Sequence, residues 1–376
     1  MTLVLRGRVV TGDADLPDAV VGVEGERIVL VRPATVADEE PATDQVIVPG
    51  LVDLHCHGGG GASFTAGEAA QVEQGARHHL AQGTTSLVGS AVTDTPEAML
   101  RAVTAMADGV ETGLLAAIHA EGPFLSAARC GAQDPAHLRT PDLALTEELV
   151  AAGRGHLRMM TVAPELPGAD EVAALLTSLG VVAAVGHTEA DARTTERFLR
   201  AHPRGHVTHL FNGMPPTHHR DAGPVAGSLA AAAAGAAVVE LIGDGVHVAD
   251  DMVSVILRVL GAGRVALTTD AMAAAGMPDG DYLLGPQRVR VEHGVARLGA
   301  GDSIAGGTSR LLDIVRRQVS AGLDPVTVVA SASSVPASVL GLDDELGAIR
   351  AGLRADLVVT DRDLRPLMVI RAGARV

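Results

Sequence analysis

A chain of 376 residues, of which 47% are hydrophobic and 1% aromatic, is long enough for one large domain with a small companion. Its formal net charge of −16 argues against nucleic acid or an anionic membrane as partners, because both are bound through clustered cations. No apolar stretch of about twenty residues lacks a glycine or a charge, and no signal-peptide pattern opens the sequence, so we predict a cytoplasmic protein with no membrane partner.

The first 49 residues predict short antiparallel strands. Apolar segments at 3–5, 9–10, 20–23 and 28–31 are separated by Gly, Asp and Pro, which is the pattern of strands joined by turns. Pro49 and Gly50 end this region.

From residue 51 onward the pattern predicts a parallel α/β sheet. Eight short apolar runs alternate with longer amphipathic segments, and the runs are 51–55, 85–88, 114–119, 158–162, 181–186, 206–210, 238–242 and 265–269. Helix candidates between and after them are 95–106, 170–179, 191–202, 250–260 and 309–320. Eight such units predict a closed (β/α)8 TIM barrel.

Two further segments complete the predicted fold. Residues 281–300 alternate apolar and polar side chains, which predicts a hairpin inserted before the final helix. Residues 347–376 return to strand-like sequence, and we expect them to join the N-terminal strands. The fold class is therefore α/β, with a barrel over 50–345 and a small β-sandwich domain built from 1–49 plus 346–376.

Histidines and carboxylates follow six of the eight predicted strands. In a (β/α)8 barrel the active site lies at the C-terminal ends of the strands, so these residues would meet there. Imidazole and carboxylate groups are the ligands that a borderline cation such as zinc selects. The strand ends therefore predict a metal-dependent active site, and the residues concerned are His55, His57, His119, Glu121, His187, His209, Asp244, His247 and Asp270.

Each of these residues also has a plainer interpretation. Alternation along a strand places His55 and His57 on one face, but both could be hydrogen-bonded core residues. That explanation would have to recur independently at five strand ends. Asp270 alone could cap a helix, whereas at the end of the eighth strand it could take a proton from a metal-activated water and pass it to a leaving nitrogen.

The residue inventory narrows the chemistry further. All 29 basic residues are arginine, so neither Schiff-base catalysis nor a carboxylated-lysine metal bridge is available. The two cysteines, Cys56 and Cys130, do not form a framework of the secreted type, which agrees with a reducing compartment. We expect Cys130 to be an inert thiol rather than a redox-sensitive one.

Several segments resemble the N-acetylglucosamine-6-phosphate deacetylase family, in the family's order and over nearly the whole chain. PGLVD is shared by many amidohydrolases, whereas EGPF and THLFNGM are far more specific. The matching segments are PGLVDLHCHG at 49–58, HAEGPF at 119–124, GHT at 186–188, THLFNGM at 208–214, DGVH at 244–247 and TDA at 269–271.

The resemblance implies hydrolysis of N-acetyl-D-glucosamine 6-phosphate to D-glucosamine 6-phosphate and acetate by a metal-activated water, in amino-sugar catabolism or cell-wall recycling. It implies a divalent ion, with zinc expected and Fe, Co, Mn or Cd as alternatives, bound by Glu121, His187 and His209. A second ion would be bound by His55 and His57. Asp270 would be the catalytic proton shuttle, and the substrate-binding residues would be Gln133, Asn212, Gly213, Arg220 and His247.

The resemblance also bears on Arg220 and Gln133. In relatives the arginine at this position is thought to reach across a dimer interface, so the resemblance implies a homodimer in which Arg220 reaches the neighbouring active site. Without the resemblance, Arg220 would be an exposed loop charge. Many relatives have Gly-Ala-His where this chain has Gly-Ala-Gln133, whose amide can hydrogen-bond but cannot titrate.

Three other functions stay open at this point. They are a deacetylase for N-acetylgalactosamine 6-phosphate, another amidohydrolase acting on a cyclic amide, and a catalytically inactive scaffold, because fold alone does not dictate function.

Overall fold

In a computed structural model of the protein, residues 2–38, 43–299 and 303–376 are described. Residues 1 and 39–42 of the predicted N-terminal strands, and residue 300 of the predicted hairpin, therefore lie outside the described residues.

The described elements begin with four strands, β1 (Thr2–Val10), β2 (Asp15–Glu24), β3 (Arg27–Pro33) and β4 (Val46–Pro49). The barrel then begins with β5 (Leu51–Cys56), the short strands β6 (Gly58–Gly59) and β7 (Ala62–Ser63), and α1 (Ala69–Leu80). It continues with β8 (Thr84–Ala91), α2 (Pro96–Glu111), β9 (Ala117–Glu121), α3 (Leu143–Ala152), β10 (Leu157–Val162), α4 (Ala169–Ser178), β11 (Val182–Val185) and α5 (Ala192–Ala201).

The second part of the barrel has shorter strands. Its elements are β12 (Gly205–Val207), α6 (Gly223–Ala233), β13 (Ala237–Leu241), α7 (Asp250–Leu260) and β14 (Val265–Leu267). The chain continues with β15 (Gly280–Leu284), β16 (Gln287–Glu292), β17 (Val295–Leu298), α8 (Leu311–Ser320), α9 (Pro325–Ser331) and α10 (Ser334–Leu340). It ends in β18 (Leu357–Thr360), β19 (Pro366–Arg371) and β20 (Ala374–Arg375).

Eight parallel strands form the central sheet, in the order β5, β8, β9, β10, β11, β12, β13 and β14. The first and last strands meet just beyond the end of β14, and we call this contact the seam. There, the Asp270 amide donates to the His55 carbonyl at 2.9 Å and the His57 amide donates to the Ala271 carbonyl at 2.7 Å. The predicted (β/α)8 barrel is confirmed, and each predicted apolar run overlaps one of its strands.

The five predicted helices correspond to α2, α4, α5, α7 and α8. Helix α2 shows why the sequence predicts its start. The Thr95 hydroxyl accepts a hydrogen bond from the Ala98 amide at 3.2 Å, and Pro96 occupies the first turn, where no backbone donor is needed.

At the N-terminal ends of the barrel strands, α10 packs against the interior of the barrel. Its Val335, Ala337 and Leu340 share an apolar cluster with Val52 of β5 and Val182 of β11. This packing closes one end of the barrel with apolar side chains and leaves the opposite end for polar residues.

The predicted insert between β14 and α8 forms a three-stranded antiparallel sheet, β15–β16–β17. The first two strands make the predicted hairpin, and β17 adds a third strand through Val289↔Leu298 and Glu292↔Val295. Leu284 of β15 and Arg297 of β17 line the cavity at the open end of the barrel.

Both ends of the chain form one seven-stranded sheet, in the order β20, β19, β18, β4, β1, β2, β3. Strand β18 pairs antiparallel with β4, and β4 pairs parallel with β1, so the tail joins the N-terminal strands as predicted. The small β-domain built from both ends is confirmed, and the residue boundaries 1–49 plus 346–376 and 50–345 stay a prediction. Among the described residues, the structure has no helix with the length and apolarity needed to cross a bilayer.

Candidate active site

Five predicted metal ligands lie at the C-terminal ends of four barrel strands. His55 is the second-to-last residue of β5, and His57 follows that strand directly. Glu121 is the last residue of β9. His187 lies two residues beyond the end of β11, and His209 lies two residues beyond the end of β12. Their ligand atoms form two groups, His55–His57–Glu121 and Glu121–His187–His209, and within each group the atoms lie within 4.8 Å of one another. All five residues are buried.

Glu121 belongs to both groups because each of its carboxylate oxygens faces a different pair of imidazoles. Oε1 lies 3.0 Å from His187 Nε2 and 2.8 Å from His209 Nε2. Oε2 lies 3.2 Å from His57 Nε2 and 3.6 Å from His55 Nε2. The carboxylate is therefore positioned to bridge two cations.

The ring orientations suit metal binding, because three of the four imidazoles have their Nδ1 atom on an acceptor. His187 Nδ1 lies 2.8 Å from the Arg129 carbonyl, and His57 Nδ1 lies 3.1 Å from the Ser90 carbonyl. His55 Nδ1 lies 3.3 Å from a carboxylate oxygen of Glu240. An Nδ1–H that donates to such an acceptor leaves the Nε2 lone pair for a cation.

Within each pair the two Nε2 atoms approach closely. The distance is 3.0 Å between His55 and His57 and 3.1 Å between His187 and His209. Two nitrogen ligands of one tetrahedral zinc ion lie roughly 3.3 Å apart, because each bond is about 2.0–2.1 Å long. Lone pairs that face each other repel unless a proton or a cation lies between them, so this donor set fits a divalent metal.

The carboxylates and imidazoles of the site stabilise each other's charged forms. Burial alone would raise the pKa of Glu121, but the facing His55, His187 and His209 imidazoles hold that pKa well below its usual range. Burial likewise opposes protonation of His57, yet Asp270 and Glu121 raise the pKa of His57. The centre thus stabilises positive charge beside a carboxylate, which is the role that a bound cation would take over.

Asp270 lies three residues beyond β14 and faces the His55–His57 pair. Its Oδ1 is 3.1 Å from His57 Nε2 and 3.5 Å from His55 Nε2. Its side chain is 13% exposed, against 3% for Glu121, and it lines the cavity. Although burial would raise the pKa of Asp270, His55 and His57 lower it, so the carboxylate form is favoured and is available as a base.

Asp53 on β5 holds the seam beside Asp270. Its Oδ1 accepts from the Thr268 hydroxyl at 2.8 Å, and its Oδ2 accepts from the Thr269 hydroxyl at 2.6 Å. Burial raises the pKa of Asp53 to about 6 against the opposing effect of these donors. The contact fixes the residues that immediately precede Asp270.

Three site residues have left-handed backbone angles that favour glycine. The φ angle is 48° at His187, 30° at His209 and 47° at Asp270. Such conformations cost on the order of 1–3 kcal/mol each and persist only where the surrounding structure enforces them. Here the Asp270 amide donates to His55 O, and the His209 amide donates to Glu240 Oε2 at 3.1 Å.

A cavity of about 380 Å³ opens above the two groups, and four of the five predicted substrate residues line it. They are Gln133, Asn212, Gly213 and His247. The fifth, Arg220, is not among the described residues that line this cavity. A larger cavity of about 520 Å³ lies beside α8, but Glu121, His187 and His209 line the smaller one.

Gln133 is hydrogen-bonded to Glu121, the carboxylate that the two ligand groups share. Its Nε2 donates to Glu121 Oε2 at 2.6 Å, and its Oε1 accepts from the Thr93 amide at 2.7 Å. Of its two N–H donors, one is therefore committed to Glu121 and one remains for the cavity.

Gly213 must be glycine for a steric reason. A Cβ atom at this position would lie 2.7 Å from His187 Nδ1, and the backbone has a φ of 61°. The neighbouring Asn212 directs its Nδ2 to the His209 carbonyl at 3.3 Å. The segment after His209 is thus packed against the His187 imidazole and the His209 main chain.

His247 is oriented by Asp244, three residues earlier. His247 Nδ1 lies 2.8 Å from Asp244 Oδ2, and the His247 amide donates to Asp244 Oδ1 at 2.8 Å. Burial would lower the pKa of His247, but the Asp244 carboxylate raises it. A cationic imidazole at the cavity wall suits an anionic substrate group.

Arg220 lies on the exposed loop between β12 and α6. Its Nη1 is 2.7 Å from Nε2 of the adjacent His219, and its amide donates to His218 Nδ1 at 3.3 Å. All eleven predicted site residues thus lie at the C-terminal ends of the barrel strands, but Arg220 is not among the described residues that line the cavity of its own chain.

Sequence reasoning missed several residues that contribute to the site. Glu240 and His206 lie inside the barrel beneath the imidazoles, and Arg297, Leu284 and Ile304 line the cavity. The sequence signal for Glu240 was its position as a charged residue within the predicted apolar run 238–242. Because alternate residues of a barrel strand point inwards, a charged residue in such a run can lie inside the barrel. His119, which follows the same pattern, bonds instead to Ser90 and Thr161 and is a neutral core histidine, since burial lowers its pKa.

The sequence and the structure of this chain are similar to those of known proteins. Residues 46–376 match the amidohydrolase family. The N-acetylglucosamine-6-phosphate deacetylase of Bacillus subtilis (strain 168) is 31% identical, with 97% of this chain and 94% of that protein covered. The N-acetylgalactosamine-6-phosphate deacetylase of Escherichia coli O157:H7 is 32% identical, with 97% and 96% covered.

A solved structure agrees over the whole chain. It is a mutant N-acetyl-D-glucosamine-6-phosphate deacetylase from Mycobacterium smegmatis in complex with N-acetyl-D-glucosamine-6-phosphate. The similarity has a TM-score of 0.94 at 40% identity, and it covers 100% of this chain and 99% of that chain.

Proposed function

Since the chain belongs to the amidohydrolase family, we propose that it hydrolyses N-acetyl-D-glucosamine 6-phosphate to D-glucosamine 6-phosphate and acetate, in amino-sugar metabolism. The observation that carries the proposal is the convergence of two imidazole pairs on the two oxygens of Glu121, beside Asp270 and at the base of the cavity. Relatives that span almost the whole chain act on this class of substrate.

The residues present fit two divalent ions, and we propose zinc. Glu121, His187 and His209 would hold the principal ion, and His55 and His57, with the other oxygen of Glu121, would hold the second. Histidine and carboxylate ligands suit zinc, although iron, cobalt, manganese or cadmium could occupy the same donors. When bound, such an ion supplies a reactive water and polarises the acetamide carbonyl.

Asp270 would perform the proton transfers of the reaction. Its Oδ1 lies at the wall of the cavity, and the lowered pKa keeps the carboxylate ready to accept a proton. The same oxygen can then donate that proton to the amide nitrogen, which must be protonated before it leaves as an amine. The backbone of Asp270 is held by its amide, which donates to the His55 carbonyl at 2.9 Å.

We assign the substrate to the residues of the cavity wall. His247 would bind the phosphate, together with the Asn212 side chain and the Gly213 backbone. The remaining N–H of Gln133 would contact the sugar. The cationic tendency of His247 supports the phosphate assignment in a protein whose net charge is −16.

We further propose a homodimer in which Arg220 completes the neighbouring active site. Its place outside the cavity of its own chain supports this assignment. An apolar stripe on α7 offers a contact surface, because Met252, Val255 and Val259 share one helix face and are 42%, 50% and 64% exposed.

Hybrid dimers test the assignment of Arg220 without removing it from every site. Asp270→Asn and Arg220→Ala subunits should each be nearly inactive alone. When the two are mixed, one site of each hybrid has its own Asp270 and receives the partner's intact arginine, so activity should rise towards half of the wild-type value per hybrid. Mixtures with no more activity than the sum of the two variants would rule out the shared site, as would a fully active monomer in sedimentation.

We place the protein in the cytoplasm. Both cysteines are free thiols, Cys56 buried and Cys130 partly buried, which suits a reducing compartment.

A second candidate substrate is N-acetylgalactosamine 6-phosphate, because a deacetylase for that sugar is about as similar to this chain as the glucosamine enzymes. The two sugars differ in the orientation of one hydroxyl group. Acetate release from each phosphosugar at equal concentration, compared as kcat/KM, distinguishes them.

The deciding experiment for the activity is Asp270→Asn. The substitution keeps the size of the side chain but removes its ability to accept a proton, so kcat should fall by about 10²–10⁴-fold. KM should change little, because Asp270 is assigned to proton transfer rather than to sugar binding. Near-normal kcat, or no acetate release by the wild-type enzyme loaded with zinc, would refute the proposal.

A further inference from the structure

Glu240 is a completely buried carboxylate on β13 and lies directly beneath the candidate metal centre. Its Oε2 is 3.3 Å from His55 Nδ1, and its Oε1 is 2.7 Å from His206 Nε2. A carboxylate at this depth is retained only where hydrogen-bond partners satisfy it, and His206 and His55 are two such partners.

The contact with His55 decides which ring nitrogen faces the metal position. A carboxylate accepts hydrogen bonds and does not donate, so His55 Nδ1 must carry the proton. His55 Nε2 is then the unprotonated nitrogen, and it faces Oε2 of Glu121 at 3.6 Å and Oδ1 of Asp270 at 3.5 Å. Without Glu240, either tautomer of His55 would be available.

The same Glu240 oxygen also holds the other ligand group. Oε2 accepts from the His209 amide at 3.1 Å, where the backbone has a φ of 30°. This contact acts through the main chain of His209 and leaves its ring to Glu121. Glu240 therefore determines the ring state of His55, whereas it supports only the backbone of His209.

The third partner fixes the direction of the carboxylate. His206 is fully buried and engages Oε1, so Oε2 is the oxygen left for the metal-binding residues. A series of hydrogen bonds therefore runs from His206 through Glu240 to His55. An acceptor on the outer nitrogen of a ligating imidazole fixes its orientation and raises its basicity.

We infer that Glu240 is a positioning residue that fixes the tautomer of His55 and thereby enables the second metal ion to bind. The inference rests on the proposed function, because it deepens the assignment of His55 and His57 to that ion. It predicts a selective effect. The ion held by Glu121, His187 and His209 should depend much less on Glu240 than the ion held by His55 and His57.

The experiment is a zinc titration against a competing chromophoric chelator, on wild type, Glu240→Gln and Glu240→Leu. Glu240→Gln removes the charge but can keep one acceptor oxygen, whereas Glu240→Leu removes both acceptors. We expect the dissociation constant of the second ion to rise by about 10-fold and about 100-fold respectively, while the first ion is retained. The readout is metal affinity, so it does not depend on catalysis.

Asp356→Asn is the matched control, because Asp356 is a buried carboxylate that pairs with Arg354 in the region of the terminal sheet. It should lower the stability of the fold without separating the two zinc affinities. If Glu240→Leu does not fold, the glutamine variant alone decides the question.

Three outcomes overturn the inference, and they differ in what else they remove. Two ions bound by the variants with wild-type affinity would refute the role of Glu240 alone. Equal weakening of both ions would reduce Glu240 to a structural partner of His206. A wild-type stoichiometry of one ion would refute the second site itself, and absence of deacetylase activity with an intact two-step titration would refute only the proposed reaction.

Discussion

Replacing Gln133 by leucine would release one oxygen of Glu121, the carboxylate that both proposed metal ions would share. The Gln133 amide donates to Glu121 Oε2 at 2.6 Å, and its carbonyl accepts from the buried Thr93 amide at 2.7 Å. Leucine has nearly the same volume but cannot make either contact. The substitution therefore tests whether this residue acts on the metal centre or on the sugar.

The expected magnitude follows from these two contacts. A hydrogen bond to a charged group contributes about 1.5–3 kcal/mol, and a buried donor left without its acceptor costs about 1–3 kcal/mol. The metal-free Gln133→Leu protein should therefore lose about 2.5–6 kcal/mol of unfolding free energy. Because Glu121 would lose its orientation, zinc affinity should fall by about 10–100-fold.

The assay combines urea unfolding of the metal-free protein with zinc competition and steady-state kinetics. Gln133→His is the matched variant, since one ring nitrogen can donate to Glu121 while the other accepts from Thr93. It should recover most of the zinc affinity and add a titrating group to the pH profile. If Gln133→Leu raised KM and left both stability and zinc affinity unchanged, Gln133 would be a sugar contact and the reasoning would be wrong.

Two other outcomes depend on protonation. Zinc affinity should rise with pH from about 5 to 8. The pKa values of His57 and His187 are raised in the metal-free protein, so protons compete with zinc for their Nε2 atoms. Zinc competition titrations at several pH values measure this effect, and a zinc affinity that did not change with pH would show that these imidazoles are not ligands. His79 is buried, and burial lowers its pKa to about 4. As the pH falls from about 6.5 to about 4, the unfolded chain therefore binds a proton at His79 before the folded protein does. The free energy of unfolding should fall over that pH range by up to roughly 3 kcal/mol. His79→Gln in the metal-free protein should flatten the dependence of unfolding free energy on pH, and parallel curves for variant and wild type in urea would contradict this.

The strands of the barrel could be predicted because their sequences are short apolar runs bounded by turn residues. Five helices, such as α7 with its amphipathic face, were equally predictable, and Thr95 marked the start of α2. Helix α6 was not predicted, because its 11 residues are mostly Gly and Ala and include buried positions around much of its surface, from Pro224 to Ala232. Without a polar face there is no helical period to detect.

The candidate site was predictable to the extent that its residues follow strands. Glu121, His187 and Asp270 were identified because a barrel brings such positions to one rim. Glu240 was not, because it lies within an apolar strand and its contact with His55 spans 185 residues of sequence. Likewise, nothing in the sequence indicates that the amide of Gln133 turns to Glu121 rather than to the cavity.

The seam of the barrel has a consequence for the order in which the protein folds and for how long it stays folded. His55 and Asp270 belong to opposite sides of that seam, and Asp53 and Thr268, which fasten it, are separated by 215 residues. Bringing such distant segments together costs roughly 5 kcal/mol of chain entropy, so ring closure belongs late in folding. The hydrogen bonds that Asp53 makes across the seam would therefore act after closure and delay opening, giving the protein a longer lifetime without speeding its formation.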